Sequence, residues 1–296
     1  MKKKILGTGL IGLVGSRIVE LLKDQFDFED LAFEEGFDIT KRETIEKKIA
    51  DSSAETLIHL AAFTDVNAAW KEKGNKEGIC YQVNVLGTKN IADLCQKYNK
   101  QLIHFSTDFV FGGKKEGFYT EEDIPDPIEW YGETKYLAEK EVKNSGCQYC
   151  IVRISFPFRS KFPAKPDLVR KIIDGLKNNT LYPQFSDQII TPTFIDDIAF
   201  GIGKIIEKKA EGIFHLTGSS FISPFELAQK IADTFGFDKN LVKESSLSEY
   251  LRINPHSRPY QKNLSLSNQK ARLILGIEMR TLDQALSVIK LCSFTP

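Results

Sequence analysis

The sequence has no excess of charge of either sign. Lysine and arginine together number 40, and so do aspartate and glutamate, which gives a formal net charge of zero. Nucleic acids and anionic membranes bind basic surfaces, so this balance argues against either of them as the main partner. No apolar run is long enough to span a bilayer. Three early lysines and the apolar residues after them resemble a signal peptide, but the many glycines and the lack of a small-residue cleavage site argue against one.

Cysteine and histidine are scarce, and neither follows a pattern typical of a disulfide framework or a metal site. They are Cys80, Cys95, Cys147, Cys150 and Cys292, with His59, His104, His215 and His256. The odd set of cysteines predicts free thiols and a cytoplasmic protein. Cys147 and Cys150 form a C-x-x-C motif without a second pair, next to an apolar run, which favours buried thiols. Three of the histidines lie in strand-like runs, which predicts core positions, and we predict no metal site.

The first half of the chain alternates short apolar runs with helical patterns. Strands are predicted at Lys4–Gly7, Asp30–Phe33, Thr56–Leu60, Gln101–Ser106 and Cys150–Ser155. Helices are predicted at Leu13–Asp24, Lys41–Ala50, Tyr81–Tyr98 and Tyr131–Asn144. This alternation is typical of an α/β fold, a Rossmann-type doubly wound parallel sheet.

After Ile154 the alternation is less regular. The aromatic, proline and basic residues of Phe156–Pro166 predict a loop over a pocket. Further elements are predicted as a helix from Ile195, a strand at Gly212–Leu216, and helices at Pro224–Phe235, Ser267–Leu275 and Thr281–Leu291. We therefore predict an NAD(P)-binding domain of residues 1–155, to which 190–218 return. Residues 156–189 and 219–296 are predicted to form a smaller C-terminal substrate-binding lobe.

A glycine-rich turn follows the first predicted strand and opens a helix. Its glycines are Gly7, Gly9, Gly12 and Gly15. Glycine permits the tight turn, the approach of backbone N–H groups to a pyrophosphate, and close packing of helix on strand. The free N–H groups and the dipole at the start of the helix favour the negative charge. We predict dinucleotide binding by Gly7, Gly9, Leu10, Ile11 and Gly12.

The next strand should end with the group that binds the adenosine ribose. Glu34 lies about 20 residues beyond the glycines, where a ribose-binding carboxylate is expected. No arginine lies nearby to hold a 2′-phosphate, so NAD(H) is favoured, with NADP(H) left open. The alternative is that Glu34 and Glu35 are solvated turn residues. Further cofactor contacts are predicted from Asp38, Ile39, Ala61 and Ala62.

Tyr131 and Lys135 are four residues apart on a predicted helix and therefore share a face. A lysine ammonium stabilises a phenolate, so we expect it to lower the tyrosine pKa from its ordinary value of about 10. Such a tyrosine can donate a proton to a carbonyl oxygen that receives hydride, and Thr107 can hydrogen-bond the same oxygen. Tyr136 and Lys140 repeat the spacing. Tyr131 is favoured because it begins its helix, and because Thr107 ends a strand at the edge where such sheets bind ligands.

Several motifs together resemble the extended short-chain dehydrogenase/reductases, and among them the dTDP-4-dehydrorhamnose reductase family. They are Thr8-Gly9-x-x-Gly12-x-x-Gly15, Asp38-Ile39-Thr40, Ala61-Ala62-Phe63-Thr64-Asp65-Val66, Val83-Asn84-Val85-Leu86-Gly87-Thr88 and Ser106-Thr107-Asp108-Phe109-Val110-Phe111. The resemblance covers nearly the whole chain. It implies reduction of a 4-keto-6-deoxy sugar carried on dTDP, with Thr107, Tyr131 and Lys135 catalytic and Lys135 also holding the nicotinamide ribose. It implies further cofactor contacts from Thr64, Asn84 and Ser106.

On the substrate side the resemblance is looser. It implies that Asp108, Phe109 and Phe156 face a nucleotide-sugar pocket, but Phe109 replaces a tyrosine and Phe156 replaces a tryptophan of the family pattern. An epimerase or dehydratase of the same superfamily is therefore a second hypothesis. A third is a non-catalytic regulatory subunit, resembling the beta subunit of methionine adenosyltransferase. A homodimer is common in the family, although no residue pattern here indicates an interface.

Overall fold

The computed structural model of the chain describes residues 2–293, with side chains up to Leu291. The predicted thiol of Cys292 therefore lies outside the described side chains. The strands are β1 (Lys3–Thr8), β2 (Phe26–Asp30), β3 (Thr56–His59), β4 (Gln101–Thr107), β5 (Tyr149–Ile154), β6 (Pro157–Phe158), β7 (Gln184–Phe185), β8 (Thr193–Phe194), β9 (Gly212–His215) and β10 (Glu244–Ser245).

The helices alternate with the strands in the first half and dominate the second. They are α1 (Gly15–Leu22), α2 (Arg42–Asp51), α3 (Val66–Lys71), α4 (Ile79–Tyr81), α5 (Thr88–Lys97), α6 (Trp130–Asn144), α7 (Leu168–Lys177), α8 (Ile195–Lys208), α9 (Pro224–Phe235), α10 (Leu247–Ile253) and α11 (Leu282–Ser293). Among the described residues, no helix combines the length and apolarity that a bilayer crossing requires.

Six strands form one parallel sheet in the order β2-β1-β3-β4-β5-β9. Strands β3 and β4 are buried along their whole lengths, because helices cover both faces of the sheet. One face packs against α1 and α8, and the other packs against α2 and α5. The predicted doubly wound α/β fold is confirmed.

The predicted second strand was placed too late in the chain. The strand is Phe26–Asp30, and Phe33–Glu35 forms a short 3₁₀ turn instead. Strand β2 is one of the two edge strands of the sheet, and its aromatic residues alternate with Asp27 and Glu29. That alternation lacks the continuous apolar run from which the central strands were recognised.

The predicted helix Tyr81–Tyr98 is not one continuous α-helix. A π-helical segment at Gln82–Gly87 separates α4 from α5. Such segments are rare and often lie at functional sites. Here the segment carries Asn84, one of the residues named from the family resemblance.

A second apolar core holds the rest of the molecule together. It contains buried residues of α7, α9 and α11 with Phe158, Ile190 and Phe194. The segment that contains α8 and β9 returns to the sheet, because α8 packs on α1 and β9 pairs with β5 at the edge of the sheet. Residues 271–279 also return, and their apolar side chains join the core on the α1 face of the sheet.

Candidate active site

The carboxyl ends of the parallel strands border a cavity of about 1070 Å³. The loop after β6 forms its far wall with Phe162, Ala164 and Pro166, as expected of a loop over a pocket. Most of the residues singled out from the sequence line this one cavity. They are Gly9, Ile11, Gly12, Glu34, Asp38, Ile39, Ala61, Ala62, Thr64, Ser106, Thr107, Asp108, Phe109, Tyr131, Lys135 and Phe156.

Three residues expected to contact a cofactor are not among those that line the cavity. Gly7 makes room for Leu10, since a Cβ at Gly7 would lie 2.5 Å from Leu10 Cγ, and Leu10 itself is buried. Asn84 is buried, accepts a hydrogen bond from Phe63 N at 2.8 Å and donates one to Thr134 Oγ1 at 3.0 Å. The side chains of Leu10 and Asn84 therefore support the cavity wall from behind, and Gly7 leaves space for Leu10.

The glycine turn brings the backbone after β1 against the end of β3. Gly9 has φ +70°, and a Cβ there would lie 2.8 Å from Ala61 N. A Cβ at Gly15 would lie 2.5 Å from Gly9 O, so the turn and the start of α1 are in close contact. Only glycine fits this path, which aims the N-terminus of α1 at the cavity.

Asp30 is a site residue that the sequence analysis missed. It is the last residue of β2 and lines the cavity, at the position where this type of fold binds the adenosine ribose. Its Oδ1 accepts a hydrogen bond from Leu10 N at 3.4 Å, while its buried Oδ2 has no partner among the described residues. Burial raises the pKa of the carboxyl. The signal was present in the sequence as an acidic residue after Phe28, but it could be recognised only with the correct strand boundary.

Thr107, Tyr131 and Lys135 meet at the middle of the cavity. Thr107 ends β4, and Tyr131 and Lys135 lie on the first turns of α6. Lys135 is almost fully buried and its Nζ donates to Phe105 O at 2.7 Å. Burial lowers the pKa of Lys135 to about 8. The structure thus brings together the three side chains that were expected to act together.

The expected lowering of the tyrosine pKa is wrong. Burial raises the pKa of Tyr131 above its ordinary value, a hydrogen bond with Thr107 opposes the rise, and the nearby charges of Asp108 and Glu129 add to it. Lys135 directs its ammonium group to a backbone carbonyl. The hydroxyl of Tyr131 is therefore strongly held in its protonated form.

The start of α6 is fixed by Glu129. Its side chain caps the helix by accepting hydrogen bonds from Tyr131 N at 2.8 Å and Gly132 N at 2.5 Å. Glu129 is buried, and burial raises its pKa to about 7. A Cβ at Gly132 would collide with the carbonyl oxygen of Phe109, so glycine allows the helix to touch the turn after β4. These contacts fix the position of Tyr131 relative to Thr107.

Asp108 lies directly behind Thr107 and is 1% exposed. Its Oδ1 accepts from Thr107 Oγ1 at 2.9 Å, and its Oδ2 accepts from Ser155 Oγ at 2.6 Å. Burial raises the pKa of Asp108 to about 7, although both hydroxyls oppose the rise. The carboxyl predicted to face substrate is thus also joined to Thr107.

Aromatic rings form the opposite wall. The ring of Phe109 lies 5.8 Å from that of Tyr131 in an edge-on arrangement and 6.2 Å from that of Phe156. Phe156 has φ 39°, a left-handed conformation that non-glycine residues adopt rarely. Flat apolar surfaces of this kind suit the hydrophobic face of a sugar ring.

The remaining reactive groups belong to the core. His59, His104 and His215 are buried with lowered pKa values, caused first by burial, as core positions predict. Cys147 and Cys150 are free, buried thiols, which confirms their predicted environment. No group of side chains suited to hold a metal ion occurs within residues 2–291.

Comparison with known proteins gives a family. The model of the RmlD substrate binding domain matches residues 2–290. The chain belongs to this family. A dTDP-4-dehydrorhamnose reductase of Aggregatibacter actinomycetemcomitans is 31% identical over 97% of this chain and 98% of its own length. A probable low-salt glycan biosynthesis reductase of Haloferax volcanii, named Agl14, is 29% identical over 96% of both chains.

A solved structure of an RmlD-type relative has the same fold. The dTDP-4-dehydrorhamnose reductase of Bacillus anthracis, described in complex with NADP, matches with a TM-score of 0.88 and 28% identity over 98% of this chain and 99% of its own. The resemblance noted from the sequence motifs is confirmed by these matches. The Bacillus anthracis relative is described with NADP, whereas NAD(H) was predicted here from Glu34.

Proposed function

We propose that this protein is an NAD(P)H-dependent reductase of a nucleotide-linked 4-keto-6-deoxy sugar. The observation that carries the proposal is the meeting of Thr107, Tyr131 and Lys135 at the strand-end cavity of a chain in the RmlD family. An oxidoreductase of this class needs a dinucleotide site, a proton donor and a sugar surface side by side. The glycine turn, Tyr131 and the Phe109–Phe156 wall supply side chains and backbone suited to each.

The residues around the glycine turn suit a nicotinamide dinucleotide. Backbone N–H groups at Gly9–Gly12 and the start of α1 would hold its pyrophosphate, and the unpartnered Oδ2 of Asp30 would accept from the adenosine ribose. Lys135 would hold the nicotinamide ribose. When bound, the reduced nicotinamide supplies the hydride that the reaction requires.

For the choice of cofactor we propose that NADPH is accepted. The carboxylates of Glu34 and Glu35 lie on an exposed turn, where water screens their repulsion of a 2′-phosphate. This arrangement fits the alternative in which they are solvated turn residues. The ratio of kcat/KM for NADPH to that for NADH tests the proposal, and a clear preference for NADH would assign the ribose 2′-hydroxyl to the carboxylate of Asp30 at the end of β2.

The proton would come from Tyr131. Tyr131 is protonated at neutral pH, which is the state that a proton donor needs. Its hydroxyl can donate to the keto oxygen as that oxygen gains negative charge, and Thr107 can hydrogen-bond the same atom. Lys135, whose charge persists below a pKa of about 8, would stabilise the phenolate left behind.

The decisive experiment mixes purified protein with NADPH or NADH and a panel of dTDP-linked 4-keto-6-deoxy sugars. We expect one cofactor molecule to be oxidised for each sugar reduced, followed by cofactor absorbance and by analysis of the sugar product. Sugar isomerisation without net oxidation would favour the epimerase hypothesis instead. Tight cofactor binding without turnover across the panel would favour a regulatory subunit.

We also propose that the protein works in the cytoplasm. The free thiols of Cys80, Cys95, Cys147 and Cys150 support this location. The homodimer stays a prediction, which sedimentation of the purified protein would test.

A further inference from the structure

The hydroxyl of Thr107 has one proton and several neighbours that can accept it. In the structure this proton goes to Asp108 Oδ1 at 2.9 Å, the Thr107 oxygen accepts from Phe109 N at 3.3 Å, and the hydroxyl of Tyr131 is a further hydrogen-bond neighbour. The proposed reaction asks Thr107 to donate to a keto oxygen instead. A hydroxyl cannot donate its single proton to two acceptors at full strength. As long as Asp108 is a carboxylate, Thr107 is therefore committed to it.

The surroundings of Asp108 favour its neutral form. The carboxyl is buried and, within residues 2–291, has no charged donor beside it, so burial outweighs the hydroxyls of Thr107 and Ser155 and the backbone N–H groups of Asp108 and Phe109, which favour the carboxylate. Among the described residues no ion pair neutralises it. An unpaired carboxylate out of water is costly, so burial shifts it towards the acid.

We propose that Asp108 is a positioning residue that works as a carboxylic acid and donates its proton to Thr107 Oγ1. This proposal rests on the reductase function proposed above. Ser155 already donates to Oδ2 at 2.6 Å, which leaves Oδ1, the oxygen beside Thr107, as the place for the acid proton. Thr107 then accepts from Asp108 and turns its own proton to the keto oxygen. No proton is consumed, because Asp108 keeps its proton through the reaction.

Other titratable groups lie close by and must be separated from Asp108 in any test. Tyr131 is coupled to Asp108 by charge, and Glu129 and Lys135 approach Tyr131 from the cap and the first turns of α6. Each of these groups changes charge somewhere between neutral and alkaline pH. A pH profile of activity alone would therefore not identify Asp108.

Infrared difference spectroscopy observes the acid directly. Spectra of wild type minus Asp108→Asn should contain a protonated carboxyl C=O band at about pH 5.5 that is lost by about pH 8.5. This measurement needs no turnover, so it remains informative if no sugar of the panel proves to be a substrate. A carboxylate band already present at the lower pH would overturn the proposal.

Turnover then tests what the proton does. In Asp108→Asn the amide N–H can take over donation to Thr107 and the amide oxygen can still accept from Ser155, whereas Asp108→Leu has similar size and can do neither. We expect kcat to fall at most about threefold in the first and at least about 30-fold in the second, with the KM for NADPH little changed. Asp108→Asn should also lose the decline in kcat that the titration of Asp108 causes in the wild type.

Equal losses in both variants would overturn the proposal, because then the hydrogen-bond donor at this position would not matter. NADPH-induced thermal stabilisation of each variant shows whether it is folded with an intact cofactor site. If wild type itself turns over no keto sugar, the reductase function fails, and the infrared result still decides the state of Asp108.

Discussion

Burial sets the protonation state of each ionisable group around Tyr131. It raises the pKa values of Tyr131, Asp108 and Glu129 and lowers that of Lys135, so all four are displaced towards their neutral forms. The sequence shows only the nearest charge, Lys135, which predicted the opposite change in the pKa of Tyr131. Desolvation depends on how the whole chain packs, which a spacing of four residues does not reveal.

Replacement of Tyr131 by phenylalanine removes the proposed proton donor and little else. We expect Tyr131→Phe to lower kcat by about 10²–10⁴-fold, the usual contribution of general acid catalysis, while the Kd for NADPH changes at most about threefold. Stopped-flow kinetics and cofactor titration measure the two quantities. The matched control is Tyr136→Phe, since Tyr136 has the same spacing to a lysine but packs beside Phe111 and Tyr119 with Lys140 over its ring. Substantial activity in Tyr131→Phe would exclude it as the donor.

The stability of the protein should depend on the ionisation of Glu129. Its pKa is about 7 in the folded state and about 4.3 in an unfolded chain, so the folded state binds more protons between these values. Its contribution to the free energy of unfolding is present below about pH 4 and is lost as the pH rises through about 7. We expect the Tm to fall from about pH 5.5 to 8, and to fall less in Glu129→Gln.

Calorimetry with Glu43→Gln provides the control for this prediction. Glu43 lies in the first turn of a different helix, α2, and is exposed, so its replacement should leave the pH dependence of the Tm unchanged. An identical pH dependence in wild type and Glu129→Gln would contradict the assigned burial effect.

At the level of secondary structure, the contact between α6 and the turn after β4 controls the site. Gly132 touches the carbonyl oxygen of Phe109, and an added Cβ would push the two apart. We expect Gly132→Ala to lower both kcat, by at least about tenfold, and the Tm, because Tyr131 and Thr107 lie on opposite sides of this contact. Enzyme kinetics and calorimetry on the same preparation measure the effect.

Gly203→Ala is the matched control on another helix. Gly203 lies in α8, and an added Cβ would lie 3.5 Å from Leu22 of α1, which is an ordinary van der Waals contact. Alanine should therefore leave kcat unchanged and raise the free energy of unfolding by up to about 1 kcal/mol, because it has the higher helix propensity. If Gly132→Ala behaved like this control, the contact would not position the catalytic groups.

The elements that the sequence predicted well are those defined by local pattern. Buried strands such as β4 and capped helices such as α9, with Ser223 at its N-cap, were found close to their true bounds. The π-helical segment at Gln82–Gly87 was not, because its cause is tertiary. Asn84 forms hydrogen bonds with Phe63 and Thr134, which are distant in sequence. Local helix propensity does not reveal such contacts.

The same distinction holds for the candidate site. Thr107, Tyr131 and Lys135 could be placed together, because motif and strand order determine which strand ends meet. Asp30 could not be placed there, because β2 was predicted to begin four residues too late, which made Glu34 the expected strand-end carboxylate. The hydrogen bond from Ser155 to Asp108 links residues that follow two neighbouring strands, β4 and β5, so the pairing of these strands brings the two side chains together.

At the scale of the whole molecule, cofactor binding should stabilise the fold. A ligand at about 100 times its Kd adds about 2.7 kcal/mol to the free energy of unfolding, which is equivalent to about 4 °C in Tm for a chain of this size. We expect NADPH to give such a shift by thermal denaturation. Gly9→Ala should abolish it, because the new Cβ would meet Ala61 N and the residue has positive φ.

Tyr131→Phe should show the same shift as the wild type, since it keeps the glycine turn. A wild-type protein that neither nicotinamide dinucleotide stabilises would contradict the assignment of the cavity. The domain division into 1–155 with 190–218, against 156–189 with 219–296, remains our proposal. Residues 271–279, which pack on the sheet, refine its boundary.

Because residues 271–279 cover the same face of the sheet as α1 and α8, a nascent chain cannot complete that face until the ribosome has passed Met279. The first five strands emerge long before β9 and this late segment exist to cover their apolar side chains. The growing polypeptide should therefore expose apolar side chains on this face until residues 271–279 are available to cover them.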